Sequence, residues 1–337
     1  STLHNWDSMS AFFDLLKSQT ASHPPIWLLR QVGRYMPPYQ ELKGSQSLKT
    51  FFHNTEAIVE ATLLGPSLLH VDAAILFADI LSILDGFAVT YDFAPGPRIQ
   101  FSPEQPFTFT SDPQTIFSYL LDAIRTLKQK LPVPLIVFAA SPFTLACYLI
   151  DGGASKDFSK TMSFLYVYPE KFDQLISTII EGTAIYLKTQ MDAGAAAVQL
   201  FESSSLRLPS ALFTRYVTEP NRRLIAKLKE QAIPVSLFCR CFEENFYTLQ
   251  ATQADTLHPD YHVDLHRIQK NLMLSLQGNL DPAIFLLPQE KLLHYVEAFL
   301  VPLRTYPNFI FNSGHGILPE TPLENVQLVV SYVQRQL

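Results

Sequence analysis

The sequence is poor in the residues that mark several common classes of protein. It contains three cysteines, Cys147, Cys239 and Cys241, among 337 residues. A sparse, odd set of cysteines makes a poor disulfide framework, so we expect a reducing, cytoplasmic location. The first seven residues hold no basic region followed by an apolar stretch, so no secretory signal is expected there. No Gly-x-Gly-x-x-Gly motif follows a predicted strand, which disfavours a dinucleotide-dependent dehydrogenase.

Positive charge is also scarce. The chain has 25 lysines and arginines against 31 aspartates and glutamates, which gives a formal net charge of -6. A general nucleic-acid binder would need a basic face, so we expect no nucleic-acid partner. An anionic small molecule remains compatible with this charge, because its binding depends on the local field in a cleft.

Only one segment has the apolar length that a membrane span needs. Residues 131–150 carry no charge. Pro132, Pro134 and Pro142 lie within this segment, and proline interrupts a helix. The pattern therefore predicts a buried strand followed by a loop, and we expect no membrane insertion.

The composition is that of a chain with a large core. Hydrophobic residues make up 47% of the sequence and charged residues 17%, so disorder is not expected. No low-complexity linker divides the chain, which favours a single domain over 1–337. Eight short apolar runs recur, at 26–29, 73–77, 135–139, 196–201, 235–238, 254–257, 272–276 and 309–311. Most are continuously apolar, as are the strands of a parallel sheet that is covered on both faces.

Segments with helical periodicity lie between these runs. From Pro169 onwards the apolar residues fall on one helical face, and Pro220 and Pro322 suit the starts of helices over 221–230 and 324–334. Eight strands that alternate with helices predict an α/β fold, a single (β/α)8 TIM barrel. A doubly wound open sheet is the alternative.

A barrel of this kind carries its chemistry at the carboxyl ends of its strands. In chain order, the polar residues after the eight runs are Arg30 and Arg34; Asp79; Ser141 and Tyr148; Glu202 and Ser203; Cys239 to Cys241; His258 and Asp260; Gln277, Asn279 and Asp281; and Asn312 and His315. None of them is a lysine, which disfavours an aldolase that forms a Schiff base.

Three of these positions suggest a binding site from residue type alone. Arg30 and Arg34 present two guanidinium groups, which suit paired recognition of carboxylates, although two surface arginines would show the same spacing. Asp79 lies in an apolar stretch and needs hydrogen-bond donors or a cationic ligand, unless a structural arginine pairs with it. His315 stands between glycines, which let the backbone approach a ligand closely; a structural histidine is the alternative.

Six segments, in order, resemble the uroporphyrinogen decarboxylase family. They are 27–35 (Trp-Leu-Leu-Arg-Gln-Val-Gly-Arg-Tyr), 76–81 (Leu-Phe-Ala-Asp-Ile-Leu), 138–148 (Phe-Ala-Ala-Ser-Pro-Phe-Thr-Leu-Ala-Cys-Tyr), 199–203 (Gln-Leu-Phe-Glu-Ser), 277–282 (Gln-Gly-Asn-Leu-Asp-Pro) and 312–316 (Asn-Ser-Gly-His-Gly). The resemblance begins near residue 25 and continues to the end of the chain.

This resemblance implies both a fold and an activity. Members of the family are single (β/α)8 barrels, are usually homodimers and use no metal or organic cofactor. They convert uroporphyrinogen III to coproporphyrinogen III in haem biosynthesis by removing four acetate carboxyl groups as carbon dioxide. A carboxy-lyase with a tetrapyrrole substrate is therefore expected.

The resemblance also implies roles for individual residues. Arg30 and Arg34 would hold substrate carboxylates, and Asp79 would accept the pyrrole N–H bonds and act in catalysis. Arg30, Tyr148 and His315 would be the candidate proton donors, the last two being the easier acids. The other implied contacts are a polar contact from Gln31, a pocket completed by Tyr148, Ser203 and His315, packing of Phe201 on the macrocycle, and a basic rim extended by Lys43.

The chain departs from the family pattern at two places. Val137 and Ala140 stand where glycine is usual, and residues 204–206 read Ser-Ser-Leu where an aromatic residue or histidine and then Ala-Gly are usual. The added side chains are expected to narrow or reshape that wall of the pocket.

Two other functions compete with the decarboxylase. A zinc-dependent corrinoid methyltransferase of the same superfamily could use Cys239 and Cys241 as ligands, although it would need a third cysteine where this chain has His315. A non-catalytic tetrapyrrole carrier could keep the same pocket.

His258, His262 and His266 are spaced by four like a metal-binding helix face, but Pro259 interrupts such a helix, so we interpret them as solvated loop and helix residues.

Overall fold

The structure is a computed structural model that describes residues 10–20 and 22–335. Nine strands lie within these residues: Ala74–Ile75 (β1), Thr90–Asp92 (β2), Arg98–Gln100 (β3), Leu135–Ala140 (β4), Ala197–Glu202 (β5), Val235–Cys239 (β6), Thr256–Pro259 (β7), Ser275–Leu280 (β8) and Phe309–Ser313 (β9). The same residues form fifteen α-helices: Ala11–Lys17 (α1), Pro37–Lys43 (α2), Leu48–Phe52 (α3), Thr55–Leu69 (α4), Pro113–Ile116 (α5), Ser118–Lys130 (α6), Pro142–Asp151 (α7), Ser159–Val167 (α8), Pro169–Ala193 (α9), Ser210–Phe213 (α10), Glu219–Lys229 (α11), Glu243–Phe246 (α12), Leu265–Ile268 (α13), Gln289–Leu300 (α14) and Leu323–Arg335 (α15).

Seven of the strands form one parallel sheet, in the order β1-β4-β5-β6-β7-β8-β9. The strands β4, β5 and β6 are paired up to their carboxyl ends, where Ala140 lies beside Phe201 and Glu202 beside Cys239. Every residue of β6 is buried, as the continuously apolar pattern predicts for a strand that is covered on both faces.

Segment 25–29 closes this sheet into a ring. On one side, the Phe311 N–H donates to the Pro25 carbonyl at 2.8 Å, and Ile26 pairs with Phe311 in parallel orientation. On the other side, the Asp72 N–H donates to the Ile26 carbonyl at 2.8 Å, and the Asp72 carboxylate accepts from the Ile26 N–H at 2.8 Å. The predicted TIM barrel is therefore confirmed, and the open sheet is excluded.

The closing segment is shorter than the strand that the sequence predicts over 26–29. The N–H groups of Leu28 and Leu29 donate to the side-chain oxygens of Gln31, at 3.1 Å, and Asn312, at 2.8 Å. After the single β-bridge between Ile26 and Phe311, side-chain acceptors thus take the place of the backbone hydrogen bonds of a regular strand. The chain is then free to turn into the loop at the barrel mouth.

Helices cover the outside of the ring. α9 begins at Pro169 as predicted and buries the expected apolar face, which includes Phe172, Leu175, Ile176, Ile179 and Ile180. α11 and α15 match the two other predicted helices. Segment 131–150 divides into β4 and α7, so the predicted loop after this strand is instead a helix that starts at Pro142, where proline is favoured. None of the helices in the described ranges has the length and apolar character that a membrane span requires.

The strands β2 and β3 form an antiparallel hairpin that the sequence did not predict. Tyr91 pairs with Ile99 at its centre, and Arg98 forms a further bridge to Gly153, after α7. Each strand has only three residues, which is too short for an alternating pattern to stand out.

Gln277 connects the polar side chains inside the barrel. Its amide oxygen accepts from Trp27 Nε1 at 2.8 Å, and its amide nitrogen donates to Gln199 Oε1 at 3.0 Å and to His258 Nδ1 at 2.9 Å. His258 Nε2 then donates to the Ser313 carbonyl at 2.8 Å. These contacts fix the neutral tautomer of His258, and burial lowers the pKa of this imidazole to about 3.

Several residues that the sequence places after a strand lie within one. Glu202, His258, Gln277 and Asn312 belong to β5, β7, β8 and β9, and all four are buried. Interpreting His258 as a solvated residue is therefore wrong. Buried polar groups are tolerated at these positions because the barrel interior supplies partners for them.

We predict that Gln277→Leu destabilises the barrel without changing its topology. The substitution leaves the Trp27 indole N–H, Gln199 Oε1 and His258 Nδ1 without their partner, and each unpaired buried group costs about 1–3 kcal/mol. The free energy of unfolding, measured by urea denaturation, should fall by about 3 kcal/mol or more. The exposed control Gln231→Leu should stay within about 0.5 kcal/mol of the parent; equal losses in both variants would contradict this role of Gln277.

Candidate active site

The barrel brings most of the predicted site residues to its carboxyl-end mouth. These residues follow five segments of the ring. The order round the mouth is Arg30 and Arg34 after the closing segment, Asp79 after β1, Tyr148 on α7 after β4, Ser203 after β5 and His315 after β9. The expected clustering at the strand ends therefore has its geometric cause in the closed ring.

Arg30 is held in the mouth by an unusual backbone and a close glycine. Its φ of 55° lies in the left-handed region. A Cβ on Gly316 would lie only 3.0 Å from Arg30 Nε, so the absence of a side chain there makes room for the guanidinium group. The Ile317 N–H donates to the Leu29 carbonyl at 3.0 Å and ties the two loops together.

The Arg30 guanidinium lies in a cluster of charged and polar groups. Although this side chain is exposed at the opening of the cleft, burial by the surrounding walls and the charge of Arg34 lower the pKa of Arg30. Asp79, Tyr148 and Tyr39 act in the opposite direction. The arrangement leaves two guanidinium groups available to an anionic ligand.

Gln31 and Lys43 lie outside this cluster. The Gln31 side chain is buried, accepts from the Leu28 N–H at 3.1 Å and donates to the Ala73 carbonyl at 3.1 Å. It therefore supports the arginine loop from behind. Lys43 Nζ donates to the Gln46 carbonyl at 3.2 Å, within the turn that follows α2.

Within the described ranges, only one of the two Asp79 carboxylate oxygens accepts a hydrogen bond. Its Oδ1 accepts from the Leu81 N–H at 2.8 Å, and its own N–H donates to Ser82 Oγ at 3.3 Å. No described residue donates a hydrogen bond to Oδ2. Burial raises the pKa of Asp79 to about 6, against the opposing effects of the Leu81 N–H and Arg30. The carboxylate is therefore mostly ionised at neutral pH, but it is poorly stabilised until a donor arrives.

Tyr148, on α7, and Phe201, near the end of β5, are both half-buried, and Tyr148 lies near Asp79. Burial and the nearby Asp79 carboxylate raise the pKa of Tyr148, so this phenol keeps its proton at neutral pH. The Phe201 ring lies 5.6 Å from Phe138 and 5.7 Å from Phe238, centroid to centroid. Rings in this position offer an apolar surface to a flat ligand.

Ser203 is positioned by a buried network at the end of β5. Its N–H donates to Thr144 Oγ1 at 3.0 Å, and that hydroxyl donates to Glu202 Oε2 at 2.5 Å. Asn221 Nδ2 donates to the other oxygen of Glu202 at 3.1 Å. Burial raises the pKa of Glu202 to about 7, against these hydrogen bonds. The network joins the end of β5 to α7 and α11, and it sets the direction of the Ser203 loop.

The positions that depart from the family pattern lie beside this network. Val137 and Ala140 are buried in β4. Ser205 is buried too, and its hydroxyl donates to the Arg240 carbonyl at 2.6 Å. Segment 204–206 therefore connects the end of β5 to the end of β6.

His315 is half-buried between charged groups from both sides of the mouth. Burial, followed by the charges of Arg30, Arg240 and His262, lowers the pKa of His315 to about 4. In the free protein this imidazole is neutral at pH 7. It can donate or accept a hydrogen bond, but it does not carry the proton of an imidazolium.

Sequence reasoning gave no role to three further groups at the mouth. Arg240 follows β6, with its Nε 3.5 Å from Asp260 Oδ2 after β7. The same carboxylate oxygen lies 2.6 Å from His262 Nδ1. The position of Arg240 directly after a predicted strand was the signal that could have identified it, as it did for Arg30.

The possible metal ligands considered above do not come together. Cys239 and Cys241 are buried side by side, and Cys239 Sγ lies 3.5 Å from Ser205 Oγ. His262 pairs with Asp260, and His266 Nε2 donates to the Phe299 carbonyl at 2.8 Å. Within the described ranges, no group of three or more His, Cys, Asp or Glu side chains is arranged to hold a metal ion.

Comparison with known proteins identifies relatives over almost the whole chain. The family model described as uroporphyrinogen decarboxylase (URO-D) matches residues 7–336. The uroporphyrinogen decarboxylases of Chlamydia caviae and Chlamydia abortus are 68% and 67% identical over 325 residues, which is 96% of this chain and 97% of theirs. Among solved structures, a methyltransferase from Methanosarcina mazei superimposes with a TM-score of 0.77 at 16% identity, covering 96% of each chain. At that identity the superposition shows a shared fold only.

We predict that His315 stays neutral down to about pH 5, with a pKa of about 4. The side-chain proton resonances of His315, followed by NMR between pH 3 and 8 and assigned with a His315→Gln variant, measure this directly. Arg30→Gln should raise the pKa of His315, because it removes one of the nearby positive charges. Arg125→Gln, on the exposed face of α6, should leave it unchanged. A His315 that titrates near 6.5 in the parent protein would contradict this description of the mouth.

Proposed function

The chain belongs to the uroporphyrinogen decarboxylase family, and we propose that it removes the four acetate carboxyl groups of uroporphyrinogen III. The products are coproporphyrinogen III and four molecules of carbon dioxide, as in haem biosynthesis, and no metal or organic cofactor takes part. The main support for the proposal is the Asp79 carboxylate, which has one oxygen without a hydrogen bond from any described residue and lies near enough to Arg30 and Tyr148 to affect their ionisation.

The chemistry needs an electron sink rather than a strong base. Protonation of a pyrrole ring carbon makes the ring cationic, the bond from the methylene carbon to the carboxylate then breaks, and the electron pair enters the ring as carbon dioxide leaves. A proton added to the methylene carbon gives the methyl group, and loss of the ring proton restores the pyrrole. The groups that matter are those that stabilise the cationic ring and supply the proton.

We assign the stabilising role to Asp79. A fixed carboxylate near the pyrrole N–H groups interacts more strongly with the cationic ring than with the neutral substrate, so it lowers the barrier. The raised pKa of Asp79 fits this role, since the free carboxylate lacks the donors that the substrate would supply.

The pKa shifts narrow the choice of proton donor. His315 is neutral at pH 7 in the free protein, so we assign it a hydrogen bond to the substrate in place of the proton transfer first considered for it. Tyr148 and Arg30 both keep a proton at neutral pH, and the lowered pKa of Arg30 makes it a stronger acid than an arginine in water. The donor is therefore assigned to this pair.

The remaining contacts follow from the charge and shape of the substrate. It carries eight carboxylates around a flat ring, so Arg30 and Arg34 bind carboxylates at one edge and Phe201 packs on the macrocycle. Ser203 completes the pocket beside Asp79. Gln31 acts by holding the arginine loop, since both of its polar side-chain atoms bond to backbone groups.

We further infer that the barrel is a single domain, that it forms a homodimer and that it works in the cytoplasm. The hydrophobic core extends from Phe12 to Val333, which supports one domain. The homodimer is a family expectation that sedimentation equilibrium can measure. The three cysteines are buried free thiols, which supports a reducing compartment.

The activity is tested by an anaerobic assay with uroporphyrinogen III, after the protein has been dialysed against a chelator. Chromatography of the oxidised products should show stepwise loss of carboxyl groups down to the four-carboxyl porphyrin, without added metal. A folded protein that binds uroporphyrinogen but releases no carbon dioxide would be a tetrapyrrole carrier instead. Turnover that required added zinc would overturn the cofactor-independent mechanism.

Asp79→Asn should keep the fold and lower kcat by about 100-fold or more, because the amide cannot supply the negative charge that stabilises the cationic ring. Asp122→Asn, on the exposed surface of α6, is the matched control and should turn over normally. For the parent protein, kcat/KM should fall as the pH drops through about 6, since protonation of Asp79 removes the same charge. Near-normal turnover by Asp79→Asn would remove Asp79 from its assigned role.

A further inference from the structure

Arg240 lies on the opposite side of the mouth from Arg30 and Arg34. The eight segments of the ring follow the order closing segment, β1, β4, β5, β6, β7, β8, β9. Arg240 follows β6, the fifth segment of this order, so three segments lie between β6 and the closing segment in either direction. A closed ring of eight places these two positions across its diameter from one another.

The backbone of Arg240 is fixed from the neighbouring strand. Its N–H donates to the Glu202 carbonyl at 2.8 Å, and its carbonyl accepts from Ser205 Oγ at 2.6 Å. Glu202 ends β5, and Ser205 lies in the segment directly after it, which also carries Ser203. Both backbone polar groups of Arg240 are therefore hydrogen-bonded, which fixes its position at the mouth.

The guanidinium group of Arg240 retains most of its capacity to donate. The side chain is 36% exposed, and none of its nitrogens makes a hydrogen bond to a described residue. Its nearest anionic neighbour is Asp260, at 3.5 Å from Nε, and the fully buried Asp260 Oδ2 already has a shorter contact with His262 Nδ1 at 2.6 Å. By contrast, the outer-surface arginines Arg215 and Arg222 donate directly to carboxylates.

His315 connects the two sides of the mouth. Arg30 and Arg240 both act on the ionisation of this imidazole, although they stand on opposite sides. The ring of Tyr261, next to Asp260, lies 6.5 Å from His315 and is stacked on His262 at 4.3 Å, centroid to centroid. Arg240 therefore belongs to the same cleft as Arg30, and not to the outer surface of the barrel.

We propose that Arg240 binds a substrate carboxylate at the edge of the macrocycle farthest from Arg30 and Arg34, with Asp260 as the residue that orients it. This inference rests on the proposed function. A substrate with carboxylates around its whole circumference cannot be neutralised from one side, and each acetate must be brought in turn to Asp79. A guanidinium group across the mouth holds carboxylates of the far pyrroles while one acetate reacts.

The test compares Arg240→Gln and Arg240→Lys with the parent protein in the anaerobic uroporphyrinogen assay. Arg240→Gln should raise KM at least about tenfold, the loss that corresponds to one charge-assisted hydrogen bond. Its kcat should change less than about threefold, because a remote contact binds ground state and transition state alike. Arg240→Lys retains the charge but not the planar fork, so its KM should lie between those of the parent and Arg240→Gln.

Arg215→Gln is the matched control, since this exposed arginine pairs with Asp173 on the outer helices. It should leave KM and kcat unchanged. Thermal unfolding of each variant separates loss of binding from loss of fold. If Arg240→Gln does not fold, Arg240→Lys alone decides: a KM raised about threefold or more supports the proposal, and an unchanged KM overturns it.

The outcomes distinguish this proposal from the proposed function. Normal decarboxylation by the parent protein, together with an unchanged KM in Arg240→Gln, overturns the assignment of Arg240 and leaves the decarboxylase intact. A folded parent protein without turnover overturns the decarboxylase itself. A variant in which kcat falls and KM does not rise would also contradict a binding role for Arg240.

Discussion

The arrangement of the mouth depends on the hydrogen bonds that close the ring at segment 25–29. These bonds join the segment to Phe311 on one side and to Asp72 on the other. Arg30, Asp79 and His315 each follow one of the joined strands within a few residues, so the closure decides which of them meet. If the barrel did not close here, Arg30 would no longer be held near Asp79 and His315.

The electrostatics of the mouth differ from those of the whole molecule. The chain is acidic overall, with a formal net charge of -6, yet Arg30, Arg34 and Arg240 stand round one opening. Burial and the charge of Arg34 lower the pKa of Arg30, and burial followed by the charges of Arg30 and Arg240 lowers the pKa of His315 in the free protein. A polyanionic ligand reduces the repulsion between these arginines as it binds. Part of its binding free energy therefore comes from positive charges that the fold holds close together.

Buried polar groups explain why the sequence was harder to interpret at the strand ends than along the strands. Glu202, His258 and Gln277 look like residues beyond the end of a strand, because polar residues are rarely buried in sheets. Each is instead paired inside the barrel, Glu202 with Thr144 and Gln277 with His258 and Trp27. Such pairs join segments that are far apart in the sequence, so the local pattern of apolar and polar residues does not reveal them.

Apolar runs predicted the strands of the barrel, and helical spacing predicted the outer helices α9, α11 and α15. The site residues stay a prediction from the six ordered motifs. Apolar runs and helical spacing are local properties. The motifs that contain Arg30, Asp79 and His315 can be recognised because all six occur in order along the chain. The folded barrel was needed to find that Gln31 supports the loop from behind, that His315 is neutral at pH 7 and that Arg240 lies across the mouth from Arg30 and Arg34. These properties depend on distances and burial between residues from different strands, which the ring fixes only when it closes.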